Sequence, residues 1–231
     1  MKYSIVIPAF NEAARIRKTL EGLKGLLKDS EVIVVDDGSS DATFDIAVAT
    51  GAKVVRHRIN RGKGAAIKTG FALAEGEVIG FVDADGSTSD KDVEKVFESI
   101  NSCDVVIGSR RVTGSLVPVD QPGYRKISGL VLRLLVNALV GVKFMDTQCG
   151  CKAMNRKVVT DLLPRMRSNG FEFDIELLYL AKKRGYTVKE IPVTWINSTG
   201  STVNVLVDGV RMFWQILMIR IRRYDRPSDI T

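Results

Sequence analysis

Asp83 and Asp85 stand one residue apart, directly after the apolar run Val78-Ile79-Gly80-Phe81-Val82 and just before Gly86. The run reads as a buried strand, so the two carboxylates lie where the backbone leaves a sheet and a glycine lets it turn. Hard cations such as Mg²⁺ or Mn²⁺ prefer carboxylate oxygens and often keep substrate phosphates in their remaining positions. A pyrophosphate beside two bare carboxylates is repelled by about 4 kcal/mol per close pair at an effective dielectric of 20. A divalent cation turns that repulsion into a bridge. The pair thus points to a metal-dependent site for a nucleotide diphosphate, with Asp83 and Asp85 as ligands. Asp-x-Asp is also an ordinary turn sequence, so its weight comes from its company.

Three further segments follow strands and carry polar chemistry. Pro8-Ala9-Phe10-Asn11-Glu12 places a carboxylate that can accept from a ribose or a base. Asp36-Asp37-Gly38-Ser39-Ser40-Asp41 is an acidic tip suited to base N–H groups or ribose hydroxyls. Asn60-Arg61-Gly62-Lys63-Gly64 puts two glycines and two cations at the start of a helix, an anion cradle. Read singly, these are also a first-turn dipole partner, a tight turn and a flexible connector. A doubly wound sheet gathers all of them with Asp83 and Asp85 on one edge, and nucleotide recognition accounts for the set. Neither Gly-x-Gly-x-x-Gly after the first strand nor Gly-x₄-Gly-Lys-Ser/Thr is present.

The elements that must position these groups alternate regularly. Residues 3–7, 31–35, 54–55, 78–82 and 105–107 read as strands. Between them lie a helix with Ile16, Leu20, Leu23 and Leu27 on one face, capped by Asn11, and helices over 41–49, 64–74 and 90–100. That alternation predicts an α/β fold with a doubly wound, mostly parallel sheet. After Ile107 comes a polar loop, 108–124, and then an apolar helical stripe from Ile127 to Val142. A helix over 174–183, strands over 187–191 and 193–196, and a last helix near 205–223 complete the chain. That helix has Leu206, Val210, Phe213, Trp214, Leu217 and Ile221 on a broad apolar side, against a stripe of Asp208, Arg211, Gln215 and Arg222. It is too interrupted to span a bilayer and suits an interface; packing on the sheet or on a second copy is the alternative. One domain is expected, divided into a nucleotide half (1–107), an acceptor half (108–203) and the amphipathic helix (204–223).

Composition narrows the chemistry. A formal charge of +7 over 231 residues favours anionic partners, but the basic residues are dispersed and no aromatic platform marks a nucleic-acid binder. Three cysteines, Cys103, Cys149 and Cys151, argue against a disulfide framework, and a reducing cytoplasm is expected; no signal peptide is visible. His57 is the only histidine, which leaves Asp and Glu as the main candidates for chemistry.

Ser4-Ile5-Val6-Ile7-Pro8-Ala9-Phe10-Asn11-Glu12, Val35-Asp36-Asp37-Gly38-Ser39, Asn60-Arg61-Gly62-Lys63-Gly64 and Asp83-Ala84-Asp85 together resemble the family 2 glycosyltransferases of GT-A fold. Asp146-Thr147-Gln148-Cys149-Gly150-Cys151-Lys152 and Phe171-Glu172-Phe173-Asp174-Ile175-Glu176-Leu177-Leu178 are similar to the branch of dolichyl-phosphate β-glucosyltransferases and polyprenyl-phosphate sugar synthases. The likeness runs from about Lys2 to Arg222. It implies that Pro8, Phe10, Glu12 and Asp37 hold the nucleoside, with Asp37 at the base, and that Asp83 and Asp85 bind metal and diphosphate. Ala9, Ala84 and Lys63 are counted with the donor-binding residues. Arg110 and Arg125, with Ser128, would face the acceptor phosphate. Ser87 stands where mannose-transferring relatives usually have glutamine, which weakens GDP-mannose as donor, and the transmembrane helices those relatives often append are not seen.

The expected activity is inverting transfer of a sugar, with UDP-glucose favoured, to dolichyl or polyprenyl phosphate, with Mg²⁺ or Mn²⁺. Asp85, Arg110 and Asp174 are the catalytic candidates, although Asp174 also suits a helix N-cap. The protein would sit peripherally on the cytoplasmic face of a membrane, with a homo-oligomer possible. The rivals are transfer to a saccharide hydroxyl, mannosyl transfer from GDP-mannose, and a catalytically silent nucleotide-sugar-binding module.

Overall fold

Apolar runs rich in Val and Ile bury both faces of a strand, which is how the centre of this sheet is built. The computed structural model describes residues 1–118, 130, 134–141, 143–196 and 205–224, the side chains of 205–211 excepted. In chain order the elements are β1 (Tyr3–Ala9), α1 (Ile16–Leu23), β2 (Ser30–Asp36), α2 (Thr43–Ala49), β3 (Lys53–Arg56), α3 (Lys63–Leu73), β4 (Val78–Val82), α4 (Asp90–Glu98) and β5 (Val105–Ser109). They continue with α5 (134–140), β6 (Cys151–Asn155), α6 (Arg156–Leu162), α7 (Phe173–Lys183), β7 (Val188–Pro192) and α8 (Val205–Ile221).

The sheet order is β3-β2-β1-β4-β6-β5-β7. Every pairing is parallel except those of β6, which runs antiparallel between β4 and β5. Helices cover both faces. Phe71 of α3, Val136 and Val140 of α5, Val158 of α6, Leu177 of α7 and Ile216 and Ile219 of α8 join one core with Val6, Ile33 and Phe81. Ile16 and Leu20 of α1, Ala47 of α2 and Val93 and Phe97 of α4 form the other with Ile5, Ile7 and Val82. The doubly wound α/β expectation holds.

Several local expectations are corrected. Asn11 does not cap α1. It takes φ +55°, its N–H donates to Ser39 Oγ and its Oδ1 accepts from Ser40 N, both at 2.9 Å, and the helix begins at Ile16. Asparagine is favoured in caps and in the left-handed region alike, and here the contact with the β2 loop decides. Residues 193–196 form only isolated bridges, Thr194 with Leu116 and Trp195 with Thr88. The expected apolar side of α8 is not the buried one: its Phe213, Trp214 and Ile221 face outward, as does Met218, whereas Ile216 and Ile219, which are not part of it, are buried; Leu206 and Val210 lie outside the described side chains.

At the sheet centre β4 and β6 approach so closely that a Cβ on Gly80 would collide with Lys152 O and lie 2.6 Å from Phe97 Cζ. Gly80→Ala is therefore expected to destabilise the fold by about 2–3 kcal/mol, since overpacking against backbone finds no rotamer to relax into. Urea unfolding followed by circular dichroism measures this; an unchanged midpoint would mean that β6 yields readily.

Candidate active site

Because β1 to β4 are mutually parallel, the loops after them leave the same edge of the sheet. There Lys63 Nζ lies 2.6 Å from Asp83 Oδ1 and 3.9 Å from Asp174 Oδ2. Lys152, wholly buried in β6, donates to Cys149 O at 2.7 Å and to Asp174 Oδ1. Charges thus alternate Lys152, Asp174, Lys63, Asp83 from the interior outward. Asp85 adjoins the outer end, its Oδ1 accepting from Ser87 N at 2.9 Å. The intervening Ala84 carbonyl accepts from Thr19 Oγ1 of α1 at 2.9 Å, which ties the acidic turn to a helix.

These groups share one field. Burial raises the Asp83 carboxyl above the usual carboxylate range, Lys63 pulls it down, and Asp85 pushes it up again, for a net rise. Burial disfavours the charge on Lys63, but Asp83, Asp174 and Asp85 outweigh it and hold the ammonium above its ordinary value. Glu12 is raised by burial against the pull of Arg15, 2.7 Å away, with Asp85 and Asp83 adding to the rise. The segments carrying Glu12, Lys63 and the Asp83 and Asp85 pair therefore act on one another.

The segment 36–41 works from beneath. Asp37, expected at the base, is only 2% exposed. Its Oδ1 lies 2.6 Å from His57 Nδ1 and accepts from Arg61 N at 3.0 Å, and its Oδ2 accepts from Gly62 N at 2.7 Å. In this structure the carboxylate holds the loop that delivers Lys63. The other nitrogen of His57, Nε2, lies 2.9 Å from Thr69 Oγ1 on α3, so both ring nitrogens brace that loop. Gly62 takes φ +97° and a Cβ there would strike Asn169 O, so residues 168–170 pack directly on the start of α3. The wholly buried Glu176 fixes that packing by accepting from Arg167 N (2.9 Å), Ser168 N (2.8 Å) and Tyr224 Oη (2.9 Å).

Arg110 follows β5 directly. Asp146 Oδ2 accepts from its Nε at 2.6 Å and Oδ1 from its Nη2 at 2.8 Å, while the guanidinium carbon lies 5.3 Å from the Trp195 ring centre. A bidentate carboxylate and an aromatic face lock the plane of the fork. Burial opposes the charge of Arg110, but Asp146 holds it firmly cationic; Asp146 in turn stays below the usual carboxylate range, Arg110 outweighing its burial.

Of the remaining expected residues, Pro8 and Ala9 are buried at the end of β1, Ala84 is buried, and Phe10 is 46% exposed at the rim. Arg125 and Ser128 lie outside the described residues. Asp174 is not an N-cap. Glu172 holds that position, without a side-chain cap bond, and Asp174 lies inside the helix facing the two lysines. Lys152 and Asp146 were within quoted motifs but had no assigned role. The signal for Lys152 was a lone cation between Cys151 and Ala153, on a strand lacking β-branched residues.

Residues 4–163 match the family described as Glycosyl transferase family 2. The chain belongs to that family. Its relatives include the dolichyl-phosphate beta-glucosyltransferases of Homo sapiens, 31% identical over 95% of this chain and 75% of the relative, and of Dictyostelium discoideum, 30% identical over 95% and 74%. Among solved structures, glucosyl-3-phosphoglycerate synthase from Mycobacterium tuberculosis, crystallised with Mn²⁺, UDP-glucose and phosphoglyceric acid, superposes with a TM-score of 0.76. At 22% identity, covering 100% of this chain and 88% of that one, it supports the GT-A fold.

The carboxylates of this family 2 site suit a hard divalent cation. A Cβ on Gly150 would collide with the Asp83 carboxylate, so the backbone makes room for that side chain. Among the described residues no group of three or more His, Cys, Asp or Glu side chains could hold an ion. The protein thus offers the Asp83 and Asp85 pair, and phosphate oxygens and water would complete a shell.

Proposed function

We propose that the protein transfers glucose, with inversion, from UDP-glucose to a polyprenyl phosphate of the dolichyl type. The observation that carries this is the division of the site into two ends. One is the Lys63, Asp83 and Asp85 end, suited to a metal-bound diphosphate, and the other is an Arg110 fork locked by Asp146 for a second phosphate. The names of the human and Dictyostelium relatives support the acceptor and the sugar.

In this reading the acceptor phosphate oxygen bonds to the anomeric carbon from the face opposite the diphosphate. The bond from that carbon to the β-phosphate oxygen breaks, and UDP leaves with the electron pair. A phosphate monoester is already anionic near neutral pH, so no general base is required, in keeping with a lone histidine used for bracing. Arg110 orients the acceptor, with two of its five N–H donors taken by Asp146. Lys63 offers the diphosphate an ammonium, and Asp174 acts through it as a positioning residue. A divalent ion bound by Asp83 and Asp85 would carry charge developing on the leaving group. Ser87, buried in the turn, offers only a hydroxymethyl group where mannose-transferring relatives have glutamine.

Among the described residues no helix is long and apolar enough to cross a membrane. The outward Phe213, Trp214, Met218 and Ile221 of α8 suit peripheral contact with a lipid surface that presents the acceptor. Incubation with radiolabelled UDP-glucose, Mn²⁺ and either dolichyl phosphate or water-soluble acceptors tests the reading. Label is expected in the organic phase. Label passing only to a soluble phosphate or saccharide, or no transfer from UDP-glucose to any acceptor, would overturn it.

A further inference from the structure

Lys63 sits where a cation is wanted. Its ammonium lies 2.6 Å from Asp83 Oδ1, and the side chain is 14% exposed. A divalent ion on that oxygen would have to share it with the lysine. We infer that Lys63 is a resident counter-cation on Asp83, and that a divalent ion gains this carboxylate only together with the nucleotide diphosphate, which takes the lysine in exchange. This rests on the reading of the site as a metal and nucleotide-sugar site.

Charge makes the coupling. Lys63 faces Asp83 and Asp174, with Asp85 acting on it from further out, and Lys152 faces Asp174, so two ammonium groups against three carboxylates leave one net negative charge. Glu12 is matched by Arg15, and Arg110 by Asp146. A divalent ion arriving alone would turn that balance positive and force two cations onto one carboxylate. An ion arriving with the doubly charged diphosphate of a nucleotide sugar leaves the balance as it was, free UDP with its further terminal charge makes it more negative still, and in both cases the phosphate oxygens give the ammonium a new partner. Geometry permits the exchange. Lys63 already lies 3.9 Å from Asp174 Oδ2, and Lys152 anchors that carboxylate from the other side, so the ammonium keeps one partner while it releases Asp83. The ligand set agrees, because among the described residues no third acidic, His or Cys side chain completes a shell without the donor.

The test is Mn²⁺ binding, read by the electron paramagnetic resonance of free manganese, with and without UDP. Wild-type protein is expected to bind Mn²⁺ at least about fivefold more tightly with saturating UDP, within the usual range for coupled sites. Lys63→Met and Lys63→Gln are expected to bind Mn²⁺ without UDP about tenfold more tightly than wild type and to lose most of the UDP effect. Lys63→Arg is expected to keep the wild-type pattern. Tight Mn²⁺ binding by nucleotide-free wild type overturns the inference without recourse to any variant. So does wild type that takes up Mn²⁺ with UDP while neither neutral variant binds the ion more tightly alone, and in that case the metal-and-donor reading survives. Wild type that takes up no Mn²⁺ even with UDP overturns both.

Discussion

Asp85→Asn is expected to cut sugar transfer about 10³-fold, some 4 kcal/mol of transition-state stabilisation, with the urea midpoint unchanged. The two numbers separate because of what this carboxylate does in the fold. Asp85 Oδ1 accepts from Ser87 N at 2.9 Å, and an asparagine oxygen can accept the same bond, so the turn survives. What is lost is one negative charge at the mouth of the site. A neutral amide is a poor ligand for a hard divalent ion, so under the proposed function the metal that Asp83 and Asp85 would hold is bound less well and its charge is lost to the leaving diphosphate. Asp83→Asn should cost as much turnover for a less clean reason, because it also strips Lys63 of its partner at 2.6 Å. Transfer rates measured over a range of Mn²⁺ concentrations check this. Turnover within tenfold of wild type at saturating Mn²⁺ would remove Asp85 from the chemistry.

The Asp83 and Lys63 end of the site was legible because it is made of local features. A strand that buries both faces, such as Val78–Val82, announces itself by its apolar run, and the polar residues after it must fall at its carboxyl end. Parallel pairing then brings the four motifs to one edge without further information. The interior half of the site was not legible in that way. Cys151–Asn155 carries no β-branched residue, and its antiparallel insertion between β4 and β5 is set by partners some 70 and 45 residues earlier. A lysine in such a stretch reads as surface. Only the register opposite Phe81 places Lys152 beneath the acidic turn. The periodicity of α8 likewise marked a broad apolar side, but not that Ile216 and Ile219 turn to the core while Phe213 and Trp214 turn away, since contact with the sheet decides which way the helix faces.

Lys152→Met should lower stability by about 3–5 kcal/mol, the usual cost of leaving a buried charge without its partner. Asp174, with a side chain 3% exposed, would keep, among the described residues, the ion pair with Lys63 at 3.9 Å. The double change Lys152→Met with Asp174→Leu removes both charges together, and most of the lost stability should return, because apolar replacements of a buried pair are often neutral or better. Activity should not return with it. Lys63 would then keep Asp83, with Asp85 beyond it, but no inner anchor to fix its reach, so binding of UDP·Mn²⁺ should stay weakened. If stability and transfer recover in step, Asp174 serves the fold alone. If stability recovers while transfer remains low, the buried pair positions Lys63, and Asp174 acts on the reaction without touching the sugar. Urea unfolding of the four proteins in the cycle, with transfer rates measured in parallel, distinguishes these outcomes; a cost below about 1 kcal/mol for Lys152→Met alone would show that water reaches the pair and that the interior end of the charge chain carries little.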